Sequence, residues 1–106
     1  MRVELLYADG DPAAMPARQN LVEVLTEDAF ETPIQMIAVA SAEDAALLEM
    51  RGSPTIRIDG ADIDPGSAGP IGLGPRAYGD DGPIPSKARI RRAVERARGW
   101  SHGLHE

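Results

Sequence analysis

A stretch in the middle of the chain decides the fold class: Gly52-Ser53-Pro54-Thr55-Ile56-Arg57-Ile58-Asp59-Gly60. Its β-branched residues predict a strand over Thr55–Ile58. The Asp59-Gly60 pair favours a type I′ turn, in which both residues take positive φ, so the chain is expected to fold back as a hairpin. The returning strand is then Ala61-Asp62-Ile63.

The region before this hairpin predicts two strands and a helix between them. The strands are expected at Val3–Tyr7 and Ile34–Ala40, and adjacent leucines in the first indicate burial on both of its faces. Asp is a favoured N-cap residue and Pro a favoured first helical residue. Asp11-Pro12 therefore predicts a helix start, with the regular part beginning nearer Met15.

The remaining elements are a short helix, a long loop and a last helix. Ser41 is expected to cap the short helix, and Gly52 is its expected end. Residues 65–85 are so rich in Gly and Pro that we expect neither regular helix nor strand there. A loop of that length is usually functional or disordered, and a lid is one interpretation. The last helix is predicted over Lys87–Arg98, with Gly99 as its stop.

The whole pattern predicts one α/β domain over residues 1–99, followed by a C-terminal tail at residues 100–106. A chain of 106 residues has room for a single compact domain. The order is β-α-β-α-β-β-α, and its first half must cross over right-handedly. We expect a mixed four-stranded sheet with helices on both faces.

This order, with the Ser53-Pro54 pair directly before the third strand, resembles the thioredoxin fold, in which a cis-proline stands there and faces the first helix. More narrowly, the chain is similar to small bacterial thioredoxin-like proteins described as alkylmercury-lyase-like. The resemblance spans roughly residues 2–97 and rests on four motifs: Gly10-Asp11-Pro12, the stretch from Gly52 to Gly60, Asp62-Ile63-Asp64-Pro65, and Gly72-Leu73-Gly74-Pro75-Arg76-Ala77-Tyr78.

The chain departs from that family because it contains no cysteine. By the resemblance, Asp11, Ala14 and Pro75 stand at positions where cysteines would be. Thiol–disulfide exchange needs a thiolate. The sequence therefore excludes thiol–disulfide oxidoreductase activity, together with disulfides and metal–thiolate centres.

Charge and hydropathy restrict the partners. The net charge is −6, and the first 81 residues are strongly acidic, which argues against nucleic-acid binding. The sequence contains no apolar run long enough for a signal peptide or a membrane span, so we expect a cytoplasmic protein. Only 4% of the residues are aromatic, so the core is small and a homodimer is a hypothesis. We expect no cofactor and no metal.

Asp9 and Asp11 are the candidate catalytic residues. They flank Gly10 at the expected carboxyl end of the first strand, near Pro54. One interpretation is a general acid–base pair or a weak site for a hard metal ion. The alternative is structural: a turn aspartate followed by an N-cap, whose carboxylate the helix dipole stabilises.

The candidate ligand-binding residues surround the same expected cleft. They come from the first strand, the proline stretch and the long loop: Tyr7, Ser53, Pro54, Thr55, Arg76 and Tyr78. Arg76 and Tyr78 can clamp a carboxylate or phosphate. Alternatively, Arg76 pairs with a surface acid and Tyr78 packs the loop down. The basic last helix is either a solvated face or a docking patch for an acidic partner or a second subunit.

Three functions remain open on the sequence. The first is a non-redox thioredoxin-like domain that binds a small ligand or a protein partner at the former active-site cleft. The second is a non-redox enzyme, such as a biosynthetic lyase, isomerase or cyclase, in which Asp11 and Asp9 transfer protons. The third is a structural role in assembly, through a sheet edge or the last helix.

Overall fold

Six strands and three helices make up the fold in a computed structural model that describes residues 1–27 and 32–103, with side chains up to residue 99. The helices are α1 (Ala14–Glu27), α2 (Ala42–Leu47) and α3 (Lys87–Gly103). The strands are β1 (Val3–Ala8), β2 (Ile34–Val39), β3 (Arg51–Ser53), β4 (Thr55–Ile58), β5 (Ala61–Asp62) and β6 (Gly72–Pro75).

A mixed four-stranded sheet in the order β2-β1-β4-β5 forms the centre of the fold, as predicted. β1 runs parallel to β2 and antiparallel to β4, which is itself antiparallel to β5. Asp59 and Gly60 join β4 to β5 with φ of 51° and 84°. Both values are positive, as the predicted type I′ turn requires.

Strand β1 is buried on both faces, as its adjacent leucines predicted. Leu5 packs into a cluster that contains the apolar stripes of α1 and α3. Leu6, which points the opposite way, packs with Ala45 of α2 and with Met50. Successive strand residues face opposite sides. Two helices therefore cover one face of the sheet, and α2 covers the other.

Local capping chemistry sets the helix starts. Ser41 accepts a hydrogen bond from the Asp44 N–H at 3.1 Å and begins α2. Ser86 does the same for α3, accepting from the Arg89 N–H at 3.2 Å. Helix α1 begins at Ala14, so Pro16 is its third residue and lacks only an N–H that has no helical partner there.

The prediction that Gly52 ends the second helix was wrong. Helix α2 ends five residues earlier at Leu47, and Arg57 donates to the Leu48 and Glu49 carbonyls at 2.7 and 2.9 Å. Gly52 instead lies inside β3 with φ of +95°. That conformation favours glycine. Glycine is common both at the end of a helix and at an irregular position in a strand, so its presence alone does not distinguish the two.

The prediction of no regular structure in residues 65–85 was also wrong. β6 pairs in parallel with β3 as a separate two-stranded sheet. The Gly72 N–H donates to the Met50 carbonyl at 2.8 Å, and the Arg76 N–H to the Ser53 carbonyl at 3.0 Å. Pro75 tolerates this position because β6 is an edge strand and can lack one donor.

The last helix continues past its expected stop. Helix α3 runs through Gly99 to Gly103, because an interior glycine costs only about 1 kcal/mol and does not by itself end a helix. Residues 104–106 of the expected tail lie outside the described residues. Within 1–27 and 32–103, no helix is both long and apolar enough to cross a membrane.

Candidate functional site

A concavity of about 260 Å³ lies where β1, β3 and β6 meet, beside the start of α1. It brings together three of the predicted site residues, Asp9, Asp11 and Ser53. The complete lining is Ala8, Asp9, Gly10, Asp11, Ser53, Leu73 and Pro75. We call this concavity the β1 cleft.

Ser53 connects the parts of the β1 cleft. Its hydroxyl accepts the Ala8 N–H at 2.8 Å and donates to Oδ2 of Asp11 at 2.5 Å. Ser53 is 3% exposed, so its side chain forms part of the inner wall of the cleft and is not available as a nucleophile. Strand β3 is thereby fastened to the end of β1 and to the turn that precedes α1.

The two aspartates play different parts. Oδ1 of Asp11 accepts the Ala13 N–H at 2.9 Å while Oδ2 accepts from Ser53, so both oxygens are engaged. The contact with Ala13 is an Asx turn, and since α1 begins at Ala14, Asp11 lies before the N-cap position that the sequence predicted for it. Asp9 is exposed, and its carboxylate makes no hydrogen bond or ion pair with the residues that the structure describes.

The charged side chains that line the cleft are all acidic. Its lining contains two carboxylates and no basic residue. A concave surface of one sign attracts the opposite charge, and cations are therefore favoured there. Leu73 and Pro75 supply an apolar wall beside the carboxylates. Leu73 was missed as a site residue, because only the pairing of β6 with β3 brings it to the cleft.

Pro54 and Thr55 lie behind the cleft. The Ser53–Pro54 peptide bond is cis, and the Pro54 carbonyl accepts the Tyr78 hydroxyl at 2.5 Å. Thr55 is fully buried and donates to the Gly52 carbonyl at 2.6 Å. Neither residue lines the β1 cleft. Their contacts hold the chain around the proline in place.

Arg76 is buried and uses its guanidinium inside the protein. It forms a bidentate ion pair with Asp62, at 2.7 and 2.8 Å, and donates to the Asp64 carbonyl at 2.7 Å. Burial alone lowers the pKa of Arg76, but the hydrogen bond with Asp62 and the attraction of Tyr78, Asp62 and Asp64 raise it overall. This geometry favours the structural alternative, with the partly exposed Asp62 as the acid.

The two tyrosines pack into or against the hydrophobic core. Tyr78 is fully buried, with the Arg76 guanidinium 4.4 Å from its ring centre. Burial raises the pKa of the Tyr78 phenol, and the nearby Arg76 opposes that rise only in part. Tyr7 is half-buried and packs against the cluster shared by α1 and α3. Neither tyrosine lines the β1 cleft.

The acidic residues of the hairpin are engaged in protein contacts. Asp62 binds Arg76, Asp64 binds Arg89, and Asp59 accepts the Arg2 N–H at 2.7 Å. Among the described residues, no group of three or more His, Asp or Glu side chains is arranged to hold a metal ion. The sequence showed these carboxylates but not their partners, which are distant along the chain.

Comparisons with protein-family models, curated proteins and solved structures found no match to this chain. The functional conclusions therefore rest on the geometry of the chain itself.

Proposed function

We propose that this chain is a thioredoxin-like domain without redox chemistry that binds a protein partner by accepting a basic side chain into the β1 cleft. The sheet order β2-β1-β4-β5 and the cis bond before β4 support the thioredoxin-like part of the proposal. The absence of cysteine removes the thiolate on which redox exchange depends.

The observation that carries the proposal is the fixed carboxylate of Asp11 beside the free carboxylate of Asp9, in a cleft without basic lining. Ser53 and the Ala13 N–H hold Asp11 in one orientation. A pre-oriented acceptor loses little conformational entropy on binding. A cation that enters the cleft meets one carboxylate already in place and a second that is free to turn toward it.

The same contacts favour binding over proton transfer. An acid–base enzyme needs a carboxyl group that exchanges its proton with a substrate. Both oxygens of Asp11 already accept hydrogen bonds from the protein, so a substrate would have to displace one of these donors to exchange a proton there. Asp11 is therefore better suited to attract a cation than to donate a proton.

The size of the cleft favours a side chain over a free small molecule. Pockets for small ligands are typically about 300–1,000 Å³, whereas the β1 cleft has about 260 Å³. The aliphatic stem of Lys or Arg can lie on Leu73 and Pro75 while its charge reaches the carboxylates.

Exposed apolar side chains near these elements also suit a protein partner. Met15, in the first turn of α1, is 63% exposed. Leu47 of α2 is 81% exposed and Ile71, directly before β6, is 44% exposed. α2 packs on β6, which forms one wall of the cleft. These exposed side chains provide apolar surface that a bound partner can cover.

The test is an NMR titration of the ¹⁵N-labelled protein with two blocked peptides, Gly-Arg-Gly and Gly-Glu-Gly. We expect the arginine peptide alone to shift the amide signals of Ala8, Gly10 and Ser53. Asp9→Asn should weaken this binding. Asp80→Asn, which removes the same charge at an exposed site outside the cleft, should not. Equal responses to the two peptides, or equal binding by the two variants, would refute the proposal.

A further inference from the structure

Two adjoining concavities lie between the β4–β5 hairpin, the residues that follow it, and α3. The first has a volume of about 580 Å³ and is lined by Ile63, Asp64, Arg89, Arg92, Glu95 and Arg96. The second has about 430 Å³ and shares Ile63 and Arg96 with the first. We call the pair the α3 groove. It includes none of the residues of the β1 cleft.

The first concavity contains arginine donors that no residue in the described part of the chain engages. Arg92 is exposed and forms no hydrogen bond or ion pair with the described residues. Arg96 donates one Nη2 hydrogen bond to the Ile63 carbonyl at 2.8 Å, which positions its guanidinium and leaves other donors available. Arg89 differs, because Asp64 and Asp81 already pair with it.

Helical spacing places the two available guanidinium groups side by side. Arg92 and Arg96 are four residues apart on α3, so they lie one above the other on the same face. Of the two lining carboxylates, Asp64 is paired with Arg89, whereas Glu95 has no ion pair with the residues that the structure describes. Two arginines against one free carboxylate leave a net positive site that suits a carboxylate or phosphate.

The second concavity is mainly apolar. Its lining includes Ile58, Ala61, Ile63, Pro65, Ala93 and Ala97. Of its two carboxylates, Asp62 pairs with Arg76, whereas Asp59 is exposed at the rim, accepts the Arg2 N–H with one oxygen and keeps its charge. Arg96 stands at the junction of the two concavities. The groove therefore presents an apolar compartment with a cationic end.

We infer that the α3 groove binds an amphiphilic carboxylate, with its apolar tail in the second concavity and its carboxylate on Arg92 and Arg96. Both volumes fall in the range of about 300–1,000 Å³ that small-molecule sites occupy. The apolar compartment distinguishes this ligand from a free inorganic anion. The limited set of available arginines distinguishes it from a polyanion such as nucleic acid, which needs many phosphate contacts.

The test uses three probes on the ¹⁵N-labelled protein: decanoate below its micelle concentration, acetate, and decyltrimethylammonium. We expect decanoate to produce saturable shifts at the amides of Ile63, Ala93 and Ala97. Acetate lacks the tail and decyltrimethylammonium carries the wrong charge. Each should bind at least about tenfold more weakly, and a tenfold change corresponds to about 1.4 kcal/mol.

Two variants test the two halves of the groove, each with a matched control. Arg92→Gln should weaken decanoate binding several-fold, while Arg18→Gln on α1 leaves it unchanged. Ala61→Glu places a charge in the apolar compartment and should abolish binding, while the equally exposed Ala46→Glu on α2 should not. Decanoate binding that survives Arg92→Gln and Ala61→Glu, or equal binding of the ammonium probe, would overturn the inference.

Discussion

Arg76 and Asp62 form a bidentate ion pair that holds the loop at residues 65–85 against the β4–β5 hairpin. Nη1 of Arg76 lies 2.7 Å from Oδ2 of Asp62, and Nη2 lies 2.8 Å from Oδ1. The Arg76 side chain is completely buried, and the Asp62 side chain is 19% exposed. The residue that follows β6 is thus attached to β5, and the loop is fixed at its centre.

We expect Asp62→Asn to lower the free energy of unfolding by about 3 kcal/mol. The substitution leaves the buried Arg76 charge without its counter-ion, and removing one member of a buried pair is costly for that reason. Urea denaturation monitored by circular dichroism measures this change. Glu4→Gln is the control, because Glu4 contacts the exposed Arg2 at 3.7 Å and surface pairs contribute roughly 0–1 kcal/mol. Equal losses in both variants would contradict the structural role of the pair.

The features that the sequence predicted are those that depend on neighbouring residues. The Asp59-Gly60 turn and the Ser41 cap are local, and both formed as expected. Asp11 was expected to act as an N-cap, and its short-range contact is instead an Asx turn with the Ala13 N–H, before α1 begins at Ala14. Its second contact, with Ser53, joins residues 42 positions apart. Only the crossing of β1 and β3 produces that contact, so local patterns could not predict it.

Strand β6 is a second feature that local sequence patterns could not predict. Residues 72–75 have the composition of a loop, and they form a strand because β3 offers them a partner. The partner of Arg76 was equally hidden, since the sequence contains many acids and no local spacing selects Asp62. The fold class could be predicted from local patterns, whereas the burial of Arg76 and Tyr78 depends on long-range packing.

We expect Asp81→Asn to destabilise the protein at pH 7, with an effect that shrinks as the pH falls below about 4. The side-chain hydrogen bond from Arg89, and then the Ser86 N–H, hold the pKa of Asp81 below its usual range. A carboxyl with a lowered pKa stabilises the fold above its unfolded pKa, and this contribution disappears as pH falls through the folded pKa. Urea midpoints measured from pH 7 to pH 3 test this.

The control for Asp81 is its exposed neighbour. Asp80→Asn removes the same charge one residue away, and Asp80 has no ion pair with a described residue. Its midpoint should follow that of the unsubstituted protein at every pH. A difference between Asp81→Asn and the unsubstituted protein that stays constant down to pH 3 would show that Asp81 does not act through its charge.

We expect the Tyr78 phenol to stay protonated well above the pH at which an exposed tyrosine ionises. Burial raises its pKa, and its hydroxyl donates to the Pro54 carbonyl. A phenol with a raised pKa stabilises the fold below its unfolded pKa of about 10, and this contribution is lost as pH rises through the folded pKa. In a Tyr7→Phe background, absorbance at 295 nm should remain flat at pH 10–11 in buffer and rise near pH 10 in urea. A rise near pH 10 in buffer, with the fold intact, would mean that Tyr78 is accessible to solvent.

We expect Gly52→Ala to destabilise the protein by about 2 kcal/mol, through backbone strain together with steric crowding. Gly52 has φ of +95°, and a Cβ there would lie 3.0 Å from Cβ of Arg76 and 3.3 Å from the Gly74 carbonyl oxygen. Gly69→Ala is the matched control, because nothing lies within 4 Å of its Cβ position, and its effect should stay within about 0.5 kcal/mol.

Since the added methyl group displaces Arg76, Gly52→Ala should also weaken the ion pair with Asp62. The double variant with Asp62→Asn should then lose less stability than the two single losses combined, and strict additivity would show that the crowding does not reach Arg76.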